Sequence, residues 1–303
     1  MLLKNGEIYW KVVKIDHLLL YLNQIHKPTN MIFKTLKEKA EYYRGLTDYR
    51  LLPNGYVLVM IDGKNFSTLI KNKFEKPFSN FFINLMNETA EHVCKQISGI
   101  KGAFVQSDEI SFLIKDTGLT EPAFDLRLCK MLSIIPSIAT SYFTKKIITH
   151  LVGKAYPETE SSESLITLEE LHDLIDKMSD YVFDCKAWNV PENDMIAWFL
   201  YRQIDCVRNS KQQFCQTYLS HKQLMGLDTD KQVKLCKELT GHDWNEISED
   251  KKYGRFLYKT TVIKTNEKGE DYQRRVWKIH TCDLTNDISR QDLIYKWLIA
   301  ETR

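Results

Sequence analysis

Apolar residues recur along this chain with two different periods, and the alternation between them outlines a fold. Val57–Ile61 follows Tyr56 as an unbroken apolar run, short enough for a buried strand. Ser79 then precedes a stretch in which Phe82, Leu85, Met86, Ala90, Val93 and Cys94 share a helical face. That predicts a helix capped by Ser79, running to about Ile97 and closed by Gly99–Gly102. Ala103–Gln106 and Ile110–Ile114 read as the strands of a hairpin whose tip is Ser107-Asp108-Glu109. A second long helix is predicted from Phe124 to about Thr144, with a kink or break at Pro136. Thr167-Leu168-Glu169-Glu170 has the form of a capping box opening a short helix to about Met178, and Tyr181–Trp188 reads as a fourth strand.

The order strand, helix, strand, strand, helix, strand is the split βαβ or ferredoxin-like arrangement. It predicts an α+β fold in which an antiparallel sheet carries both helices on one face. Three regions follow. Residues 1–30 form an N-terminal appendage, in which Tyr9–Val13 suggests a strand and His17–Gln24 a short helix. Residues 31–190 form the catalytic domain, entered through an amphipathic helix within Phe33–Tyr49. Residues 191–303 form a helical region, opened by Pro191 and carrying a late strand pair at Gly254–Val262 and Tyr272–Ile279. Pro157–Ser164 reads as a polar loop.

Composition narrows the class. With 43% apolar and 27% charged residues in 303, the chain has the make-up of a globular protein. A net charge of +2 gives no global basic field, so any nucleic-acid surface must be local. Seven scattered cysteines without close pairing predict buried thiols in a reducing compartment. No membrane span or signal segment is evident, which makes a cytoplasmic location the default and leaves mitochondrial or nuclear placement open.

Asp62 and Asp108 are the candidate chemistry. An Asp-Gly pair alone is a turn signal. Two acids at the ends of strands that the fold makes neighbours are instead what a pair of Mg²⁺ ions requires. Gly63 allows close approach of a metal or phosphate, and Glu109 is a further candidate acid. Lys64, Asn65 and the amides around Phe66-Ser67 are candidates to cradle a triphosphate, with Lys76 as a phosphate-binding cation before a helix. Arg202, Asp205, Arg208 and Asn209 share one helical face, either as a salt-bridged surface or as a phosphate-contacting one.

Ile61-Asp62-Gly63-Lys64-Asn65-Phe66, then Lys76-Pro77, then Gln106-Ser107-Asp108-Glu109-Ile110-Ser111-Phe112 resemble the tRNA(His) guanylyltransferase family and its guanylyltransferase-like relatives. Phe183-Asp184-Cys185-Lys186 and Arg202-Gln203-Ile204-Asp205-Cys206 follow in the family's order. The resemblance covers roughly residues 35–265. It implies a palm like that of polymerases and nucleotide cyclases, adding nucleotides to the 5′ end of tRNA in the 3′–5′ direction. Asp62, the Gly63 carbonyl and Asp108 would hold two Mg²⁺. Asp62 through Ser67, with Ser107, would line a site for GTP or ATP. A homotetramer, or dimer of dimers, is also implied. Ser67 and Met60 stand where many members carry histidine and arginine. Val207-Arg208-Asn209 stands where the tRNA(His)-specific branch has His-Ile-Asn, which places the chain nearer the guanylyltransferase-like branch. The alternatives are a tRNA(His) guanylyltransferase proper, a nucleotide cyclase and a non-catalytic RNA-binding relative.

Overall fold

The computed structural model describes residues 34–115, 122–156 and 166–299. The strand and helix expected within residues 1–30 and the polar loop Pro157–Ser164 lie outside the described residues. The N-terminal helix, α1 (Leu36–Gly45), starts where the Thr35 side chain accepts from the Glu38 amide, and it belongs to a separate compact unit ending at Tyr49.

The unit from Arg50 onward is built on one sheet. Its elements begin with β1 (Tyr56–Lys64), α2 (Phe66–Lys73), α3 (Asn80–Gln96), β2 (Ile100–Gln106), β3 (Glu109–Lys115) and α4 (Leu128–Ala155). They continue with α5 (Leu168–Lys177), β4 (Val182–Val190) and α6 (Met195–Tyr218). The short helices α7 (His221–Leu224), α8 (Thr229–Thr240) and α9 (Glu249–Tyr253) lead to β5 (Arg255–Thr265), β6 (Asp271–His280) and α10 (Asp287–Ile294). The six strands are antiparallel in the order β4-β1-β3-β2-β5-β6. The first four make the ferredoxin-like arrangement predicted from the element order, and the late strand pair extends the same sheet beyond β2.

Alternation along the strands assigns the two faces. Val57, Val59 and Ile61 of β1 point to the same side as Ala103, Ile110 and Phe112, and they pack against Phe82, Met86, Ile135 and Phe143 of α3 and α4. Tyr56, Leu58, Phe104 and Leu113 face the other way, towards Met195 and Phe199 of α6 and Trp297 near the C-terminus. The crossover helices therefore do lie on one face. The second face is not left to solvent at the centre of the sheet, which explains why β1, β2 and β3 are buried at nearly every position rather than at alternate ones. Gly102 in β2 serves this second layer: a Cβ there would lie 2.1 Å from the Trp297 ring, whose Nε1 donates to the Leu257 carbonyl at 2.9 Å.

Two expectations need correction. The second crossover helix starts at Leu128, not Phe124, and runs to Ala155. Phe124, Asp125 and Leu126 have positive φ, and the Leu51 amide donates to the Leu126 carbonyl, so the chain here is held as a turn. Pro136 does not end α4. It is buried beside Ile135 and Ala139, and core packing offsets the backbone hydrogen bond it cannot make. Among the cysteines, Cys129 is exposed, whereas Cys94, Cys206, Cys215, Cys236 and Cys282 are buried as expected. The capping box at Thr167 and Glu170 is present as read. No helix among the described residues is long and apolar enough to cross a membrane.

Candidate active site

Asp62 lies near the end of β1, the strand flanked by β3 and β4. Its register partners are Glu109 on one side and Asp184 on the other. Directly opposed residues in an antiparallel ladder project to the same face, so three acids line up on the side that α6 covers. Asp108 joins them from the hairpin tip, where Ser107 turns the chain with φ 43° and the Gly63 amide donates to the Asp108 carbonyl at 3.1 Å. The hairpin and the end of β1 are thus tied together by backbone, independently of any side chain.

This crowding has an electrostatic consequence. The Asp62 carboxyl is pushed up to about 6, first by burial and then by Asp108, Glu109 and Asp184. Burial likewise raises Asp108, against hydrogen bonds from its own amide and from Ser107. Of the four acids, Glu109 alone has an ion-pair partner among the described residues. Arg202 of α6 donates from Nε to Oε1 at 2.8 Å and from Nη2 to Oε2 at 2.5 Å, and Gln106 Nε2 adds a hydrogen bond to Oε1 at 3.1 Å. Both Glu109 oxygens are therefore engaged, while Asp62 and Asp108 are left facing each other's charge. A site with surplus negative charge fits a divalent cation. Among the described residues no three His, Cys, Asp or Glu side chains form an all-protein cage. Mg²⁺ does not need one, because it keeps water and phosphate oxygens in its shell.

The predicted nucleotide residues divide. Ser67, Lys76, Ser107 and Asp108 line one open cleft of about 690 Å³, together with Gln213 and His221 from α6 and α7. Asn65 adopts φ 66° and starts α2 without a side-chain cap; the Thr68 amide donates to the Asn65 carbonyl at 3.0 Å, which leaves the Phe66 and Ser67 amides to be offered as a phosphate cradle would be. Lys64 is exposed at the end of β1. Phe66 is placed so that only its backbone reaches the cleft side. Its ring is fully buried, stacked on Phe143 at 4.6 Å, so it offers the site only its backbone. The ring also explains Gly63: a Cβ at Gly63 would lie 2.4 Å from Phe66 Cγ.

Arg202, Asp205, Arg208 and Asn209 share a helical face, and on it the salt-bridged reading holds for most of the group. Arg202 Nη2 also reaches Asp205 at 3.1 Å, Arg208 pairs with Asp205, and Asn209 donates to Asp205 at 3.4 Å. Gln203, one position on, is buried and ties α6 to the C-terminal segment. It donates to the Tyr253 and Cys282 carbonyls at 2.8 Å each and accepts from the Leu284 amide at 2.6 Å. Asp184 is not among the candidate site residues read from the sequence, and Arg202 is read there as salt-bridged or phosphate-contacting, not as the partner of Glu109. Alternation within β4 puts Asp184, Lys186 and Trp188 on one face, but only the register with β1 brings Asp184 to Asp62.

The sequence and the fold both have counterparts among known proteins. A protein of Acanthamoeba polyphaga mimivirus, R259, is 25% identical over 285 residues, covering 89% of this chain and 92% of its own length. tRNA(His) guanylyltransferase 1 of Arabidopsis thaliana is 28% identical over 251 residues; the match covers 78% of this chain but only 40% of that longer protein. Among solved structures, a bacterial tRNA(His) guanylyltransferase (Thg1)-like protein in complex with ATP shares the fold, with a TM-score of 0.66 and 23% identity over 86% of this chain and 99% of that one. The family profile described as Thg1, tRNAHis guanylyltransferase, matches residues 37–191, just over half of the chain and the whole stretch from β1 to β4. With the palm topology, the acids at its strand ends and this match, the chain belongs to the tRNA(His) guanylyltransferase family.

Proposed function

We propose that this protein is a Mg²⁺-dependent nucleotidyltransferase of the guanylyltransferase-like kind, adding nucleotides to the 5′ end of tRNA in the 3′–5′ direction. The observation that carries this reading is the meeting of Asp62 and Asp108 at adjoining strand ends, one carboxyl raised to about 6 and no cation among the described residues to balance either. Asp62, the Gly63 carbonyl and Asp108 are the groups that would hold two Mg²⁺. When bound, such ions lower the pKa of an attacking hydroxyl and neutralise charge at the phosphoryl centre and the leaving pyrophosphate.

The remaining work falls to the chain itself. The Phe66 and Ser67 amides at the start of α2 receive nucleotide phosphates, and Lys76 and Ser67 line the cleft. GTP and ATP are the substrates proposed, supported by the ATP complex of the structural relative. Glu109, held by Arg202, flanks Asp62 without competing for the ions, because both its oxygens are engaged. tRNA is the acceptor, and a homotetramer or dimer of dimers is the proposed assembly.

The deciding experiment is Mg²⁺-dependent addition of labelled nucleotide to 5′-truncated tRNAs, comparing tRNA(His) with a tRNA of another identity. Addition to both, following the opposing base, supports the proposal. Addition of G to tRNA(His) alone replaces it with a tRNA(His) guanylyltransferase proper. No addition to either overturns it and directs attention to cyclase activity.

A further inference from the structure

β5 and β6 continue past the rest of the sheet as a two-stranded arm. β5 begins at Arg255, opposite Val105 and beside the row in which Gln106, Glu109 and Asp62 are aligned, and it runs away from that row. Arg255 to Tyr258 pair with β2; from Lys259 to Thr265 the strand pairs with β6 alone. Every residue from Ile263 to Arg275 is exposed, so among the described residues no helix covers either face of the outer arm. The turn at its end is fixed by Asn266, whose side chain accepts from the Lys268 and Glu270 amides at 2.9 Å each.

Charge is sorted along this arm. The acids Glu267, Glu270 and Asp271 gather at the turn, where Asn266 donates to Glu270 at 2.9 Å and Thr265 to Asp271 at 2.7 Å. The strands carry cations instead. Alternation puts Tyr258, Val262 and Lys264 of β5 on one face with their register partners Lys278, Arg274 and Tyr272 of β6. No carboxylate stands on that face of the two strands. Lys264, Arg274 and Lys278 have no ion-pair partner among the described residues. Phe256 and Tyr258 on the same face join the layer of Met195 and Trp297, so it continues the side of the sheet on which Asp62, Glu109 and Asp184 stand. On the opposite face Lys259 lies over the Trp277 ring at 5.8 Å, and Arg275 shares the surface with Asp271.

Cations on an edge strand commonly guard it against pairing with another sheet. That use does not call for their sorting onto one face, nor for Tyr272 left 43% exposed among them. Unpaired cations at multiples of a two-residue repeat of about 6.7 Å suit a polyanion whose charges also come in series. With a net charge of only +2 on the whole chain, a surface for such a polyanion has to be local.

We propose that this face of the β5–β6 arm holds the phosphate backbone of the RNA substrate, at a distance from the reacting 5′ end. From Arg255 to Lys264 the extended strand covers about 30 Å, so the contact falls on the body of the RNA and adds affinity without touching the reacting atoms. It reads no sequence, because phosphates carry none. The inference rests on the reading of this chain as an enzyme acting on tRNA.

The test compares wild type with a Lys264→Gln, Arg274→Gln, Lys278→Gln variant of the full chain. It measures equilibrium binding of 5′-truncated tRNAs across a salt series, and steady-state nucleotide addition to them. The variant is expected to bind at least about tenfold more weakly at low salt and to lose about 2–3 from the slope of log K against log salt, equally for tRNAs of different sequence. KM for tRNA should rise, while kcat at saturating tRNA and the affinity for GTP stay at wild-type values. Arg275→Gln, on the opposite face, should keep tRNA affinity within about twofold of wild type. Arg274→Gln alone, expected to lower the slope by about 1, keeps the proposal testable if the triple variant fails to fold. An unchanged slope and KM in a folded variant overturns the proposal. So does a fall in kcat with KM unmoved, which marks an effect at the acids. A changed sedimentation mass also overturns it, since that marks the arm as a guarded edge or a contact between copies of this chain. Equal binding of tRNA by wild type and variant removes the arm alone; failure of wild type to bind tRNA removes the tRNA-enzyme reading with it.

Discussion

Asp62 stands directly opposite Glu109 in the β1–β3 ladder, and Arg202 grips Glu109 through both carboxylate oxygens from the helix that covers this face. One of two adjacent acids is thereby neutralised by protein, while the other is left with its charge uncompensated. The pair sets a carboxylate engaged by the protein beside the one proposed above as a metal ligand, at the same depth of the sheet.

Arg202→Met should leave Glu109 buried without its cation. Breaking one side of a buried pair costs about 3–5 kcal/mol. The Glu109→Gln, Arg202→Met double variant should recover part of that loss, because a neutral amide is cheaper to bury than a lone carboxylate. Urea unfolding of the three proteins reads this directly. An Arg202→Met variant as stable as wild type would rule out the pair as a strut between α6 and the palm.

Asp62 makes a prediction with a defined sign. Its carboxyl titrates near 6 when folded and near the ordinary ~4 when unfolded. Between those values the folded state holds more protons, so metal-free stability falls as pH rises from about 4 to about 6 and stays at the lower level above. Asp62→Asn should remove this penalty. It should be more stable than wild type at pH 7–8 by about 1 kcal/mol, a figure reduced for the screening of a half-exposed carboxyl. Nucleotide addition by the same variant should fall to background. Mg²⁺ should raise the melting temperature of wild type above pH 6 and leave the variant unmoved. A variant with near-normal addition would sink the metal-site assignment.

Gly63→Ala should impair both fold and activity. The new Cβ would enter the Phe66 ring, which has little room to retreat because Phe143 stacks on it and Phe183 packs at 4.9 Å. Overpacking of this kind costs about 1–3 kcal/mol. The shift would be felt in the Asp62 and α2 backbone, so a drop in addition rate should accompany the drop in melting temperature. Wild-type values for both would show that the ring adjusts freely.

Thr167→Ala offers a control. It removes the cap that accepts from the Glu170 amide at 3.1 Å at the start of α5. The expected loss is about 1 kcal/mol of stability, with nucleotide addition unchanged. Reduced addition at a temperature where the variant is fully folded would show that α5 takes part in substrate binding.

Local signals in the sequence carried much of this molecule. Apolar periodicity marked β1, α3 and the β2–β3 hairpin because each is shaped by its own residues: Ser79 and Thr167 cap their helices, and Ser107 turns the hairpin. The same periodicity placed the start of α4 four residues early, because a backbone bond from Leu51 sets it and no pattern within residues 124–128 records that bond. The order of elements was enough for the palm topology, and with it the expectation that Asp62 and Asp108 would be neighbours. Register was not available to it. Only pairing across β1 brings Asp184 and Glu109 to either side of Asp62. Only the packing of α6 on the second face delivers Arg202 to Glu109, and only the junction of β5 with α3 leaves Arg255 buried with an unanswered donor. The physical reason is one of range. Caps, turns and amphipathic faces are settled by residues within a few positions of one another. A charge becomes a ligand, a strut or an orphan according to which distant groups the folded chain sets against it.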